Sequence, residues 1–219
     1  MGGFRMVGWN FQWQPGKALW SLRPGRAVCV VMTVLFWLTG HGLGWGFDTV
    51  VIDPGHGGID PGSEWFGVQE KELTLDLGLR MERILQDRGF KTVMTRRTDV
   101  YVELGERAEM ANRHRDAVFI SLHFNATMSG EITGVETYFL SDGGMRLAQV
   151  VHSHLMRKLN TRDRGVKRNS LKVLRDTKGM AILVECGFIS NRWENQRCQA
   201  SWYRQILAEE IVAGLLRFR

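Results

Sequence analysis

The chain has 219 residues, 44% of them apolar and 24% charged, with 29 Lys and Arg against 23 Asp and Glu and a net charge of +6. This is enough chain for one full-core domain and marginal for two, and the composition is that of a globular protein rather than a disordered one. The positive balance does not argue for nucleic acid. Residues 1–46 hold Arg5, Lys17, Arg23 and Arg26 and no acidic residue, and without them 25 basic residues face 23 acidic ones, too even for a basic stripe on the folded domain.

In residues 1–46 scattered positive charges precede "AVCVVMTVLFWL" (Ala27–Leu38), a continuous apolar run of 12 residues, and then the breaker-rich "TGHGLGWG". The run suits the hydrophobic region of a signal peptide and is short for a membrane span, which needs about 20 apolar residues. Residues 1–46 are therefore expected to be a signal peptide or hydrophobic leader, and residues 47–219 the folded domain. Export to the periplasm or cell envelope follows, with the chain either released by cleavage or tethered by an uncleaved N-terminal segment. Of three cysteines, Cys29 falls in this leader, and Cys186 and Cys198 are expected to be buried free thiols.

After the leader, strand and helix signals alternate. "DTVVID" (Asp48–Asp53) reads as a buried strand, and Lys71–Gly89 as a helix with Leu73, Leu77, Met81, Ile84 and Leu85 on one face and Gly89 as its C-terminal cap. Phe90–Thr95 is a second strand, Glu103–His114 a helix, and "AVFISLHF" (Ala117–Phe124) a third strand, apolar on both faces. Val135–Leu140 gives a fourth strand, followed by a helix over Met145–Leu159; Leu171–Arg175 and "AILVECGF" (Ala181–Phe188) give a fifth and a sixth. A helix over Trp193–Phe218 closes the chain. Strands apolar on both faces belong in a sheet covered on both sides, so the expected fold is a single α/β domain with a central, mostly parallel sheet of about six strands flanked by helices.

Ligands in such a sheet bind outside the carboxyl ends of the strands. Strand one ends in Asp53 and then His56, strand three in His123 and Asn125, and strand six in Glu185. Glu70 stands at the start of the first helix, with Asp60, Glu64 and Glu72 as rival carboxylates nearby. Two histidines and a carboxylate are the ligand types of a catalytic zinc site, which leaves its fourth position open. A lone His after a strand is more often a hydrogen-bonded loop residue, and a Glu in a first helical turn is favoured by the helix dipole alone. A carboxylate directly after "AILV" is costly to bury unless it is paired or functional. The glycines of "GHGGID" (Gly55–Asp60) fail the phosphate-loop patterns, and their acidic neighbours would repel phosphate. His152 and His154 are expected at the surface of their helix, and Cys186 on the opposite strand face from Glu185.

The blocks "VVIDPGHGGIDPGS", "QEKELTLDLGLRM", "TRRTDVYVELGERAEMAN", "FISLHFNA", "GVETYFL", "RGVKRNSLKVLRDT" and "ILVECGFISNRWEN" come in the order seen in zinc-dependent N-acetylmuramoyl-L-alanine amidases, and residues 49–219 resemble the AmiC-like catalytic domains of that family. The resemblance implies a six-stranded α/β fold, zinc held by His56, Glu70 and His123, and Glu185 as the catalytic glutamate. It implies hydrolysis of the amide between N-acetylmuramic acid and L-alanine in peptidoglycan by a monomer, with an activator protein as an open question. Two alternatives stand beside it, another zinc peptidase or amidohydrolase on a similar scaffold and a non-catalytic wall-binding protein. "HFNATMSGEITGVETYFL" leaves no room for the zinc-occluding helix of regulated members, and no wall-binding repeats are expected to flank the catalytic part.

Overall fold

A computed structural model describes residues 46–219, so the leader and Cys29 lie outside the described residues. Six strands form the main sheet: β1 (Thr49–Pro54), β4 (Lys91–Met94), β5 (Ala117–Asn125), β6 (Val135–Phe139), β7 (Asp163–Arg168) and β8 (Met180–Phe188). Their spatial order is β4-β1-β5-β8-β6-β7, parallel throughout except where β6 runs against β8. A small hairpin, β2 (Glu64–Trp65) with β3 (Val68–Gln69), precedes the first helix. The helices are α1 (Glu70–Asp87), α2 (Leu104–Asn112), α3 (Asp142–Lys158), α4 (Lys172–Asp176), α5 (Arg192–Gln199) and α6 (Ser201–Phe218). None of the described helices is long and apolar enough to cross a membrane.

The period-two alternation of the strands sorts side chains onto two unequal faces. Val50, Ile52, Val118, Ile120, Leu122, Ile182, Val184 and Cys186 join the larger core with Leu73, Leu77 and Met81 of α1, Leu147 and Val151 of α3, and Leu207 and Ile211 of α6. Each such fully buried side chain contributes about 1.5–3 kcal/mol. Val51, Phe119, Ala181 and Leu183 face the other way into a smaller core with Ala111 of α2 and Val173 and Leu174 of α4. Asp53, Ser121, His123, Glu185 and Glu136 share the parity of this second set, so they stand on the more thinly covered face. Cys186 lies on the opposite face, in the large core, and both Cys186 and Cys198 are buried free thiols.

Three expectations need correction. Leu171–Arg175 is not a strand: Lys172–Asp176 coils into α4, and the strand in this part of the chain is Asp163–Arg168, at the edge of the sheet. "DRGVKR" escaped notice because an edge strand has one open side and can carry polar residues throughout. The closing helix is two helices, broken at Ala200 with φ −70° and ψ 125°. No glycine or proline marks the break; Arg204 captures the Cys198 carbonyl, and the buried Tyr203 hydroxyl donates to the Cys186 carbonyl. His152 is buried rather than exposed, its ring held between the Thr137 hydroxyl and Asp163.

A candidate metal centre at the carboxyl ends of the strands

Strand β1 runs out at Pro54, and the next residues turn sharply. His56 adopts φ +62° and Gly57 φ +129°, and a short bridge closes the turn through Gly57 N–H to the Asp60 carbonyl (2.8 Å) and Asp60 N–H to the Gly57 carbonyl (3.1 Å). The left-handed conformation at His56, uncommon for a residue with a side chain, is held from outside by two arginines. Arg107, from α2 and only 2% exposed, donates to the carbonyls of Val102, Pro54 and His56 and to Asp53 Oδ1. Arg96 donates to the carbonyls of Pro54, Gly55 and Lys71, and burial pushes its pKa down to about 10. Asp53 in turn accepts from the hydroxyls of Thr95 (2.7 Å) and Ser121 (2.7 Å). A buried carboxylate and two guanidinium groups thus fix the backbone that presents His56.

The structure brings His56, Glu70 and His123 together, with one ligand atom from each lying within 4.8 Å of the others. Glu70 is the first residue of α1 and is buried. Its Oε1 faces His56 Nε2 at 3.2 Å and His123 Nδ1 at 2.9 Å and accepts the Phe124 N–H at 3.0 Å, while Oε2 accepts the Ser63 N–H at 3.0 Å. Burial raises the Glu70 pKa, but the hydrogen bonds and charges of His123 and His56 outweigh it and hold the carboxyl well below the usual range. His56 turns its other nitrogen, Nδ1, to Asp60 Oδ2 at 2.8 Å. Burial lowers the His56 pKa, yet Glu70 and Asp60 more than offset this, and the net shift is upward. The rival carboxylates have other places: Asp60 stands behind His56, Glu64 accepts from Gln69, and Glu72 is exposed.

Glu185 completes the cluster from β8, where it is the register partner of His123 on one side and of Glu136 on the other. Its Oε2 is buried and has no hydrogen-bond partner, and burial, with the charges of Glu70 and Glu136, pushes its pKa well above the ordinary value. Asn125 sits past an irregularity in the β5–β8 register, its amide donating to Glu136 and its oxygen accepting the Ala126 N–H. A cavity of about 190 Å³ opens beside the histidines and is lined by Tyr101, Val102 and Leu104 among others.

Two imidazoles and a carboxylate with their donor atoms converging, one histidine braced from behind by a carboxylate, fit a zinc ion held by three protein ligands. The orphaned oxygen of Glu185 adds to that fit, because a buried carboxylate without a partner is costly unless a ligand or a proton completes it. Sequence reasoning missed Arg96, Arg107 and Glu136. Arg107 could have been found: it precedes Ala108 and lies four residues before Ala111 on the buried face of α2, where a charge requires a partner.

Comparison with known proteins places the sequence and the fold in a family. Residues 50–217 match the family model described as N-acetylmuramoyl-L-alanine amidase. The chain is 36% identical over 171 residues to a sporulation-specific N-acetylmuramoyl-L-alanine amidase of Bacillus subtilis, covering 76% of this chain and 66% of that protein. An N-acetylmuramoyl-L-alanine amidase from Clostridium difficile 630 has the same fold, with a TM-score of 0.76, 38% identity and coverage of 78% of this chain and 96% of that one. The CwlD amidase from Clostridioides difficile, solved in complex with the GerS lipoprotein, superposes with a TM-score of 0.72 at 26% identity over 78% of this chain and 98% of that one. The chain spans 35% of the length of two other relatives that it matches, a cell wall amidase of Bacillus anthracis and LytC of Bacillus subtilis. With sequence, fold and family model in agreement across residues 50–217, the chain belongs to the N-acetylmuramoyl-L-alanine amidase family.

Proposed function

We propose that this chain hydrolyses the amide joining the lactyl group of N-acetylmuramic acid to the L-alanine of the peptidoglycan stem peptide. The observation that carries the reading is the convergence of His56, Glu70 and His123 beside the unpartnered carboxylate of Glu185. His56, Glu70 and His123 are the residues to hold zinc. Bound there, zinc would supply Lewis acidity toward water and toward the scissile carbonyl.

The rest of the chemistry falls to the chain's own groups. Glu185 accepts a proton from the attacking water and delivers it to the alanine nitrogen as the C–N bond breaks, so one carboxyl serves as base and then acid. Burial and the charges of Glu70 and Glu136 raise its pKa in the metal-free chain, so the site accommodates the protonated form that the second half of the step requires. Asp60 accepts the His56 Nδ1 proton, which would leave Nε2 to serve as the metal-donor atom. Arg107 and Arg96 keep the loop carbonyls fixed, so His56 does not have to reorganise during turnover.

All four residues come from one chain, which supports a monomer as the working unit. Residues 47–219 act as the catalytic unit and 1–46 as the leader that exports it to the cell envelope, where its substrate lies. By likeness to the CwlD amidase, solved in complex with the GerS lipoprotein, a protein activator is the partner to test for this chain.

Digestion of purified peptidoglycan, followed by mass spectrometry of the soluble products, tests the reading. Free stem peptides beginning at L-alanine should appear, vanish with a chelator, and return with added zinc. Release of single C-terminal amino acids instead would identify a peptidase, and binding to the wall without products would identify a wall-binding protein.

A further inference from the structure

The four groups around Glu136 are not used by the mechanism above. Glu136 is buried, with its side chain only 5% exposed, and it stands on β6 directly across from Glu185. Its Oε1 accepts from the Asn125 amide (2.9 Å) and the Tyr138 hydroxyl (2.5 Å), and its Oε2 from Arg164 Nε (3.2 Å) and Lys167 Nζ (2.5 Å). Burial raises its pKa, but Lys167, Tyr138 and Arg164 outweigh burial, so the group stays ionised. Two cations on one carboxylate leave an excess positive charge, and it reaches solvent, with the Lys167 side chain 42% exposed and that of Arg164 25%. The bond from Arg164 uses Nε alone, and a guanidinium has four further N–H donors.

The surroundings of the reacting centre are electrostatically uneven. On the β1 side, Asp60 and Arg107 both border the cavity beside the histidines, Arg107 being paired with buried Asp53, and exposed Glu64 and Glu103 lie on neighbouring segments. On the β7 side, Arg164 and Lys167 lie two strands from Glu185, about 10 Å at ordinary strand spacing. An anionic group near the site meets exposed cations that share a single carboxylate toward β7, whereas Arg107 on the β1 side is buried and paired with Asp53. The stem peptide is anionic in this way: the residue after L-alanine is a glutamate joined through its side chain, which leaves its α-carboxylate free within a residue or two of the scissile amide.

We propose that Arg164 and Lys167, anchored on Glu136, form a carboxylate-binding subsite that takes the free α-carboxylate of the residue following L-alanine in the stem peptide. Glu136 holds the two cations in place, and the incoming carboxylate meets the donors that Glu136 does not use. The peptide then leaves the site toward β7, and the sugar lies toward the Tyr101 cavity. The inference rests on the amidase reading.

The test compares muramoyl-L-alanyl-D-isoglutamate with its isoglutamine counterpart, which differs only in replacing the α-carboxylate by a neutral amide. The wild-type protein should show a kcat/KM about tenfold or more higher for the acid, the scale of one charge-assisted hydrogen bond. Lys167→Met should bring the ratio to within about threefold of unity, and Lys167→Arg should restore most of the preference. Equal rates for the two substrates in the wild type, or an undiminished preference in Lys167→Met, would overturn the subsite. A second measurement separates this from failure of the amidase reading: calorimetric binding of the free peptide L-alanyl-γ-D-glutamyl-L-lysine and of its α-amidated form. Carboxylate-dependent binding that is lost in Lys167→Met supports the subsite even if neither muramoyl substrate is cleaved. Cleavage of both substrates without discrimination keeps the amidase and removes the subsite, and neither cleavage nor binding removes both.

Discussion

His123 and Glu185 are register partners on the adjacent parallel strands β5 and β8, on the sheet face that carries the thinner core. One strand pair therefore sets both a metal-ligand candidate and the proposed proton carrier, and their spacing is as rigid as the centre of the sheet. Glu185→Gln keeps the side-chain shape and removes the proposed base. Wall hydrolysis should fall by about 10²–10⁴-fold, the usual contribution of a positioned acid–base group. Zinc content, measured by elemental analysis of the purified variant, should stay at the wild-type level. Loss of the metal together with activity would show that Glu185 is a ligand rather than the base.

The same residue governs a pH effect in the zinc-free protein. The folded pKa of Glu185 is raised above its ordinary value of 4.5, so the folded state holds this proton more tightly than the unfolded state. Stability must then decline as pH climbs from about 4.5 through the folded pKa. His56, also raised in the fold, acts in the same sense, and its contribution is present below 6.5 and lost as pH rises through its folded value. Glu70 has the opposite sign, because its lowered folded pKa stabilises above 4.5 and that gain is lost only on acidification. Chelated protein should accordingly melt higher at pH 5 than at pH 8, by roughly 2–4 °C per kcal/mol, and Glu185→Gln should flatten that slope. A melting temperature that rises over this window would contradict the assignment of an unpaired buried carboxylate.

Zinc binding itself should depend on the residue behind His56. Asp60 accepts from His56 Nδ1 at 2.8 Å, and Asp60→Asn weakens the orientation of the ring without touching a ligand. Loss of such a supporting carboxylate typically costs 10–100-fold in metal affinity. Competition with a fluorescent zinc chelator at fixed pH reads this directly. His56→Ala, Glu70→Ala and His123→Ala should each abolish stoichiometric zinc, and an Asp60→Asn affinity equal to wild type would show that the Arg107 clamp alone positions the ring.

Much of this was legible in the sequence because the same physics writes both pattern and fold. Apolar runs such as Val118–Leu122 placed strands in a covered sheet, and polar residues at the ends of those runs marked one edge as the site. Glu70 is different: spacing left it among several carboxylates, and the family resemblance singled it out. The structure supplies the local reason, because Phe124 and Ser63 donate backbone N–H groups that aim Glu70 at both histidines. The edge strand Asp163–Arg168 carried no hydrophobic signal, and with it the pairing of Lys167 and Arg164 to Glu136 stayed invisible.

Gly55 gives room to the protein itself: a Cβ there would sit 2.3 Å from His123 Cε1. Gly55→Ala should displace the His123 ring and lower zinc affinity more than it lowers melting temperature in the chelated protein. Gly62 combines φ +70° with a Cβ position 2.7 Å from His56 Cδ2 and 2.8 Å from Glu70, so Gly62→Ala adds backbone strain to the same injury. Gly67, also at positive φ but with nothing within 4 Å, provides the comparison, since Gly67→Ala should cost strain and spare the metal.

The ion pair of Arg107 and Asp53 supports both fold and site. The two side chains are 2% and 1% exposed and meet at 2.8 Å, and Arg107 also satisfies the His56 carbonyl at 2.8 Å. Breaking a buried pair by removing one partner leaves an uncompensated charge and costs about 3–5 kcal/mol. Arg107→Met should show that loss in urea unfolding of the chelated protein, and it should weaken zinc binding as well, because the left-handed turn at His56 loses its clamp. Asp53→Asn keeps neighbours for the Thr95 and Ser121 hydroxyls but removes the charge, so it should destabilise less than Asp53→Ala. The double variant Arg107→Met with Asp53→Asn decides whether the pair acts as a unit. Its destabilisation should fall short of the sum of the two single losses, because the second substitution removes the stranded charge. Simple additivity would mean that each residue acts only through its separate backbone and hydroxyl partners.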